Sequence, residues 1–89
     1  MKNLKSKSIR VTDLDVTIET ILKRQYDSSM TVTVAGTCGK SSYVGTMIVP
    51  PNPKATQEQI EKDIVDFCES IARETAGREK VRQLAEKLV

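Results

Sequence analysis

Two stretches of alternating polar and apolar β-branched residues lie near the middle of the chain. Residues 31–34 alternate threonine with valine, and residues 43–49 continue with valine, threonine and isoleucine. A period of two among such residues is typical of strands with one buried face. The segment between them, Gly36–Ser42, contains two glycines and suits a hairpin turn. The pattern predicts a β-hairpin and leaves open which face of each strand is buried.

The segment before this hairpin, residues 12–26, has apolar residues at helical spacing. Thr12 is a candidate N-cap, and acids precede bases along the segment, as the helix dipole favours. A strand is the competing interpretation, because many of these residues are β-branched. The caps and charges favour a helix, and residues 8–11 are the candidate for a short third strand. The apolar residues at i, i+4, i+7 and i+8 are Leu14, Ile18, Ile21 and Leu22.

The C-terminal third predicts two helices. In the first, over residues 56–76, Thr56 and Gln59 form a capping box ahead of a regular apolar stripe. Gly77 is predicted to end this helix in a left-handed conformation. The second helix, residues 78–89, is expected to turn its apolar residues inward (Val81, Leu84, Ala85 and Leu88). Two arrangements are open: a packed helical hairpin, or a contact with a second copy or another partner through Leu84 and Leu88.

This order of elements, α-β-β-α-α, predicts an α+β domain in which a small antiparallel sheet of two or three strands packs against helices. Residues 1–7 are basic and lack periodicity, so we expect a flexible arm. Residues 8–89 are expected to form a single domain.

Composition narrows the functional classes. The 89 residues include only two tyrosines, one phenylalanine and no tryptophan. Such a chain builds a small core, so we expect self-association into a homodimer. There is no histidine, and Cys38 and Cys68 lack metal-site or redox spacing. We therefore predict no catalytic residue, metal or cofactor, and leave open whether the two cysteines pair. No secretory or transmembrane stretch is visible, which predicts a cytoplasmic protein without a membrane partner.

One motif has a chemical interpretation. Residues 32–42, Val-Thr-Val-Ala-Gly-Thr-Cys-Gly-Lys-Ser-Ser, resemble the phosphate loop of Mur ligases and folylpolyglutamate synthases. That resemblance implies that Lys40 and Ser41 hold phosphate and magnesium. The family places a long helix next, whereas here β-branched residues and Pro50-Pro51 follow. A hairpin turn without ligand and a non-catalytic anion contact are the other interpretations.

Two functions are consistent with these observations. The first is a small non-enzymatic protein-binding regulator, an inhibitor or adaptor of the kind that phages or mobile elements encode, acting by stoichiometric binding. The alternative is a nucleic-acid or nucleotide-phosphate binding module that uses the basic arm and the Gly36–Ser42 turn. Its candidate contact residues are Lys2, Lys5, Lys7, Arg10, Gly36, Thr37, Gly39, Lys40 and Ser41.

Overall fold

Residues 4–89 fold into one four-stranded antiparallel sheet with one long helix on one face. The computed structural model describes the backbone from residue 4 to residue 89 and the side chains from residue 6 onward. The predicted α+β class is confirmed, but the predicted order was wrong: four strands precede a single helix. In chain order the elements are β1 (Leu4–Val11), β2 (Leu14–Arg24), β3 (Met30–Cys38), β4 (Ser41–Val49) and α1 (Gln57–Leu88).

The segment predicted as the first helix is strand β2. Its residues alternate strictly, since Val16, Ile18 and Thr20 are buried against α1 and the residues between them are exposed. A helix would have placed Ile18 and Ile21 on one face, whereas Ile21 is 48% exposed. β-branched side chains fit a pleated surface between β1 and β3, and this tertiary pairing outweighs the helix-like caps and charges.

Strand β1 is longer than the predicted third strand and begins at Leu4. It therefore includes residues 4–7 of the predicted arm, while residues 1–3, including Lys2, lie outside the described part of the chain. Thr12, predicted as a helix N-cap, instead begins the two-residue turn between β1 and β2 with φ of 55°.

The predicted hairpin is present as β3 and β4. Its turn is only two residues long, because Cys38 pairs with Ser41. Gly39 adopts a φ of 58°, the left-handed region that glycine enters without steric cost, and so allows this tight reversal. The described strands stand in the order β1-β2-β3-β4, which makes β1 and β4 the edges of the sheet.

Helix α1 continues through Gly77, so the two predicted helices are one. A glycine inside a helix costs only about 1 kcal/mol. Packing on both sides of Gly77 offsets this cost, because Thr75, Ala76 and Glu79 are all buried against the sheet. The predicted capping box is confirmed: the Thr56 hydroxyl accepts from Gln59 N at 3.1 Å, and Thr56 N donates to the Gln59 side chain at 3.2 Å.

The core lies between α1 and the sheet. Helix α1 is longer than the sheet, because a helix of 32 residues spans about 48 Å and the strands span roughly 26–36 Å. The molecule is accordingly elongated, at 53 × 21 × 17 Å. In residues 4–89 we find no helix with the length and apolar character needed to cross a membrane. The buried apolar residues are Val16, Ile18, Val32, Val34, Cys38, Cys68, Ile71, Ala72 and Ala76.

Candidate functional site

The residues of the phosphate-loop motif are divided between the two faces of the hairpin. Gly36 is buried within β3 under α1, and the neighbouring Thr37 is exposed on the opposite face of the sheet. Lys40 is exposed in the turn, whereas Ser41 turns toward α1 and donates its hydroxyl to Glu79 Oε1 at 2.9 Å. No helix follows Ser41, because the chain continues directly into β4. The geometry is that of a hairpin turn held against a helix.

A buried carboxylate lies directly beneath this turn. Both oxygens of Glu79 accept hydrogen bonds from the Arg82 guanidinium, at 2.8 and 2.7 Å, and Gln83 donates at 3.1 Å. The backbone at Gly39 approaches so closely that a Cβ there would overlap the Glu79 carboxylate. Glycine at this position therefore serves both the turn and the contact with α1. We call Glu79, its partner Arg82 and Ser41 the turn anchor.

The charge of the turn anchor bears on the predicted anion contact. The Arg82 hydrogen bonds, with smaller contributions from Ser41 and Gln83, lower the pKa of Glu79 to about 2. Burial, followed by the charge of Glu79, raises the pKa of the nearby Cys38 thiol. A phosphate at this turn would face the ionised Glu79, and the Ser41 hydroxyl is already engaged. Phosphate binding at the turn stays a prediction.

The lowered pKa of Glu79 makes the stability of the fold dependent on pH. A carboxyl group with a folded-state pKa near 2 and an ordinary value of 4.5 stabilises the fold above the ordinary value. That contribution is lost as the pH falls through 4.5 toward 2. We expect the free energy of unfolding to decrease over this range, and to decrease less in Glu79→Gln, which should already be less stable at pH 7. Urea unfolding at several pH values measures both; parallel profiles for the two proteins would contradict the assignment.

The predicted basic residues whose side chains the structure describes, Lys7, Arg10 and Lys40, do not form one patch. Lys7 pairs with Ile18 and so lies on the α1 side of β1, where it lines a shallow pocket beside Glu61. Arg10 lies on the opposite side of the same strand, with Nη1 at 3.3 Å from Asp15 Oδ1. Lys40 belongs to the hairpin that forms the other edge of the sheet, about 14 Å away at three strand spacings. Lys5 is placed by its backbone opposite Thr20.

Both cysteines lie in the core between α1 and the sheet. Cys38 and Cys68 are both buried and both free, so they do not pair in this structure. The Cys68 sulfur lies 3.5 Å from the Thr20 hydroxyl, inside the core. Within the described residues, no cluster of three or more potential ligands is arranged to hold a metal ion.

The largest exposed apolar surface on α1 lies at its C-terminal end. Val81, Leu84 and Leu88 are 67%, 57% and 84% exposed, although the sequence had predicted them to point inward. Together with Gly77 they follow a 4-3-4 spacing, which places all four on one side of the helix. We call Gly77, Val81, Leu84 and Leu88 the outer stripe.

The outer stripe lies nearly opposite the face that packs on the sheet. Val81 follows the buried Glu79 by two residues, a rotation of about 200° around a helix of 3.6 residues per turn. Up to Ala76 most apolar residues of α1 face the sheet, with Val65 42% exposed as the exception. Beyond Glu79 the sheet side carries Arg82 and Gln83 instead. The apolar side of α1 is therefore exchanged at Glu79: it faces the sheet before this residue and faces away from the sheet after it. Following the helical period across Gly77 in the sequence would have revealed this exchange.

Cations lie on both flanks of the outer stripe, and acids partly compensate their charge: Lys80 Nζ lies 3.1 Å from Asp13 Oδ1. Arg73, Lys80 and Lys87 recur every seven residues and so line one side of it. On the other side Arg78 stacks over the Tyr43 ring at 4.6 Å and pairs with Glu74 at 3.1 Å. An apolar strip between cations suits a partner with apolar residues flanked by acids.

Comparison of the chain with protein-family models, with curated proteins and with solved structures found no match.

Proposed function

We propose that this protein is a small, non-enzymatic protein-binding regulator, an inhibitor or adaptor that acts by stoichiometric binding through the outer stripe of α1. The observation that carries the proposal is the exchange of the apolar side of α1 at Glu79. Residues before that point build the core, whereas Val81, Leu84 and Leu88 contribute nothing to it.

The physical argument rests on what this helix end lacks. Isolated helical segments of about ten residues are marginal in water, and helices in proteins owe most of their stability to tertiary packing. Beyond the turn anchor, α1 has only exposed residues from Leu84 onward. A partner that covers the outer stripe would bury apolar surface and supply the missing packing.

The flanking charges indicate the character of that partner. If two copies of this helix end packed antiparallel with their apolar residues facing, Lys80 of one would lie near Lys87 of the other. Such like charges oppose self-pairing at this surface, although the ion pair of Lys80 with Asp13 weakens the repulsion. An amphipathic helix with an apolar strip bordered by aspartate or glutamate matches the stripe and its cations.

Capture of binding proteins from a lysate of the source organism, with nuclease treatment, tests the proposal. We expect a protein retained at constant stoichiometry by the native chain. Leu84→Lys should weaken its binding by roughly tenfold or more, as at a central contact residue. Ser70→Lys is the matched control, since Ser70 is exposed on the same side of α1 two turns before the exchange. Equal capture by all three chains would refute the proposal.

The same experiment separates the alternative function. A nucleic-acid or nucleotide-phosphate module would lose its binding after nuclease treatment, or as salt rises, and Lys40→Ala would weaken it. A protein partner held through the outer stripe would be insensitive to nuclease and to Lys40→Ala.

A further inference from the structure

The two edges of the sheet differ in how they are protected. Strand β1 carries Lys5, Lys7 and Arg10, whereas β4, Ser-Ser-Tyr-Val-Gly-Thr-Met-Ile-Val, carries neither a charge nor a proline. Exposed edge strands invite pairing with another chain, and soluble proteins block them with charged residues, particularly lysine, or with proline. By this criterion β1 is a blocked edge, and β4 is an edge suited to pairing.

Apolar side chains flank the β4 edge on both faces of the sheet. On the face away from α1, Val44 and Ile48 are 60% and 65% exposed. On the α1 side, Tyr43, Met47 and Phe67 pack on the core but remain partly exposed. A strand added along β4 would cover surface on both faces as well as satisfy the backbone groups of the edge.

We propose that β4 pairs antiparallel with β4 of a second copy, around a two-fold axis at Gly45, to form a continuous eight-stranded sheet. Because Gly45 is the middle residue of β4, this register overlaps the full strand. It sets Tyr43 opposite the partner's Met47, and Val44 opposite the partner's Thr46.

A second copy fits this edge because a two-fold interface must be complementary to itself. Because β4 itself carries no charge, the two paired strands bring no like charges together. The cation beside this edge, Arg78 of α1, stacks on the Tyr43 ring and pairs with Glu74. On the α1 side, the Tyr43 ring of each copy faces the Met47 thioether of the other, which is a favourable sulfur–aromatic contact. The second copy also enlarges a small core: the described chain buries only nine apolar residues.

Helix α1 packs on one face of the sheet, and among the described strands β4 is paired only with β3. The helix contacts all four strands, β4 most extensively and β1 least. A side chain at Gly45 would overlap Ile71, and its absence lets α1 lie close to β4. Because the two-fold axis reverses strand direction, the outer stripes of the two copies would lie at opposite ends of the sheet. Dimerisation and partner binding therefore use separate surfaces and can be tested separately.

Light scattering and sedimentation equilibrium from micromolar to millimolar concentration test the dimer. The native chain is expected at twice its mass of 9.9 kDa. Thr46→Lys places a cation on the exposed face of β4 and should raise the dissociation constant by roughly tenfold or more. Ser8→Lys is the matched control, because Ser8 is exposed on β1 and lies on the same face of the sheet as Thr46. It should leave the dimer unchanged.

The outcomes separate clearly. A native chain that stays monomeric throughout, or a dimer disrupted equally by Ser8→Lys, overturns the proposal. So does a dimer that persists in Thr46→Lys. If circular dichroism shows that Thr46→Lys is unfolded, Ile48→Lys is the second variant on the same exposed face, and the same criteria apply. Leu84→Lys should remain dimeric, so loss of partner binding in that variant is not a consequence of dissociation.

Discussion

Replacing Ile18 with alanine is expected to lower the free energy of unfolding by about 2–5 kcal/mol, the range for large-to-small changes in a packed core. Ile18 is fully buried and packs between the sheet and α1, so the surrounding structure cannot close the cavity without moving α1. The same replacement at Ile21, three residues later, should cost no more than about 1 kcal/mol because that side chain is half exposed.

This pair distinguishes the two interpretations of residues 12–26. In a helix Ile18 and Ile21 share one face, and both changes would be costly. In a strand they point to opposite faces, and only Ile18→Ala is severe. Urea unfolding measures the loss in the free energy of unfolding for each variant, and the two losses can be compared if the dependence on urea concentration has the same slope. Equal losses would contradict the four-stranded sheet.

The second large effect is expected at Gly36, where α1 packs closely on β3. A Cβ at this position would overlap the Thr75 hydroxyl oxygen and press on Ile18 and Ile71. Thr75 is fully buried and its hydroxyl donates to the Ile71 carbonyl at 2.7 Å, so it has little freedom to move. Gly36→Ala should therefore cost about 1–3 kcal/mol, as overpacking does in other cores.

Removing the opposing atom should restore part of this loss. In a double-mutant cycle, Gly36→Ala combined with Thr75→Ala should be more stable than the sum of the single changes predicts, with a coupling of about 0.5–3 kcal/mol. Gly77→Ala is the matched control, because nothing lies within 4 Å of a Cβ there. That change should stabilise the helix by up to about 1 kcal/mol. Additive losses at Gly36 and Thr75 would contradict the observed packing.

The sequence predicted well those elements whose local pattern of residues favours a single type of secondary structure. The Thr-Val alternation of β3 and the capping box at Thr56 are of this kind. Strand β2 was mistaken for a helix because its caps and charges fit a helix locally, while the neighbours that pair with it lie elsewhere in the chain. Gly77 was mistaken for a helix end because the burial of Thr75 and Glu79 on the sheet is a tertiary effect.

The candidate surfaces were predictable to different degrees. The turn anchor joins Ser41 to Glu79 across 38 residues, and no local pattern indicates that contact. The phosphate-loop motif instead drew attention to Lys40, which is exposed above a carboxylate. The uncharged edge of β4 and the outer stripe are both visible in sequence, but their meaning depends on knowing which strand is at an edge and which side of α1 faces the sheet.

The central claim is that α1 holds the fold up to the turn anchor and binds a partner beyond it. Partner capture by a chain that ends at Gln83 tests this most directly. The truncation removes Leu84, Leu88 and the exposed Glu86, which pairs with Arg82, but it removes no buried residue and leaves the Arg82–Glu79 pair in place. We expect the free energy of unfolding of the truncated chain to lie within about 0.5 kcal/mol of the native value. We also expect the truncated chain to retain no partner after nuclease treatment. Undiminished capture of the partner by this chain would contradict the account.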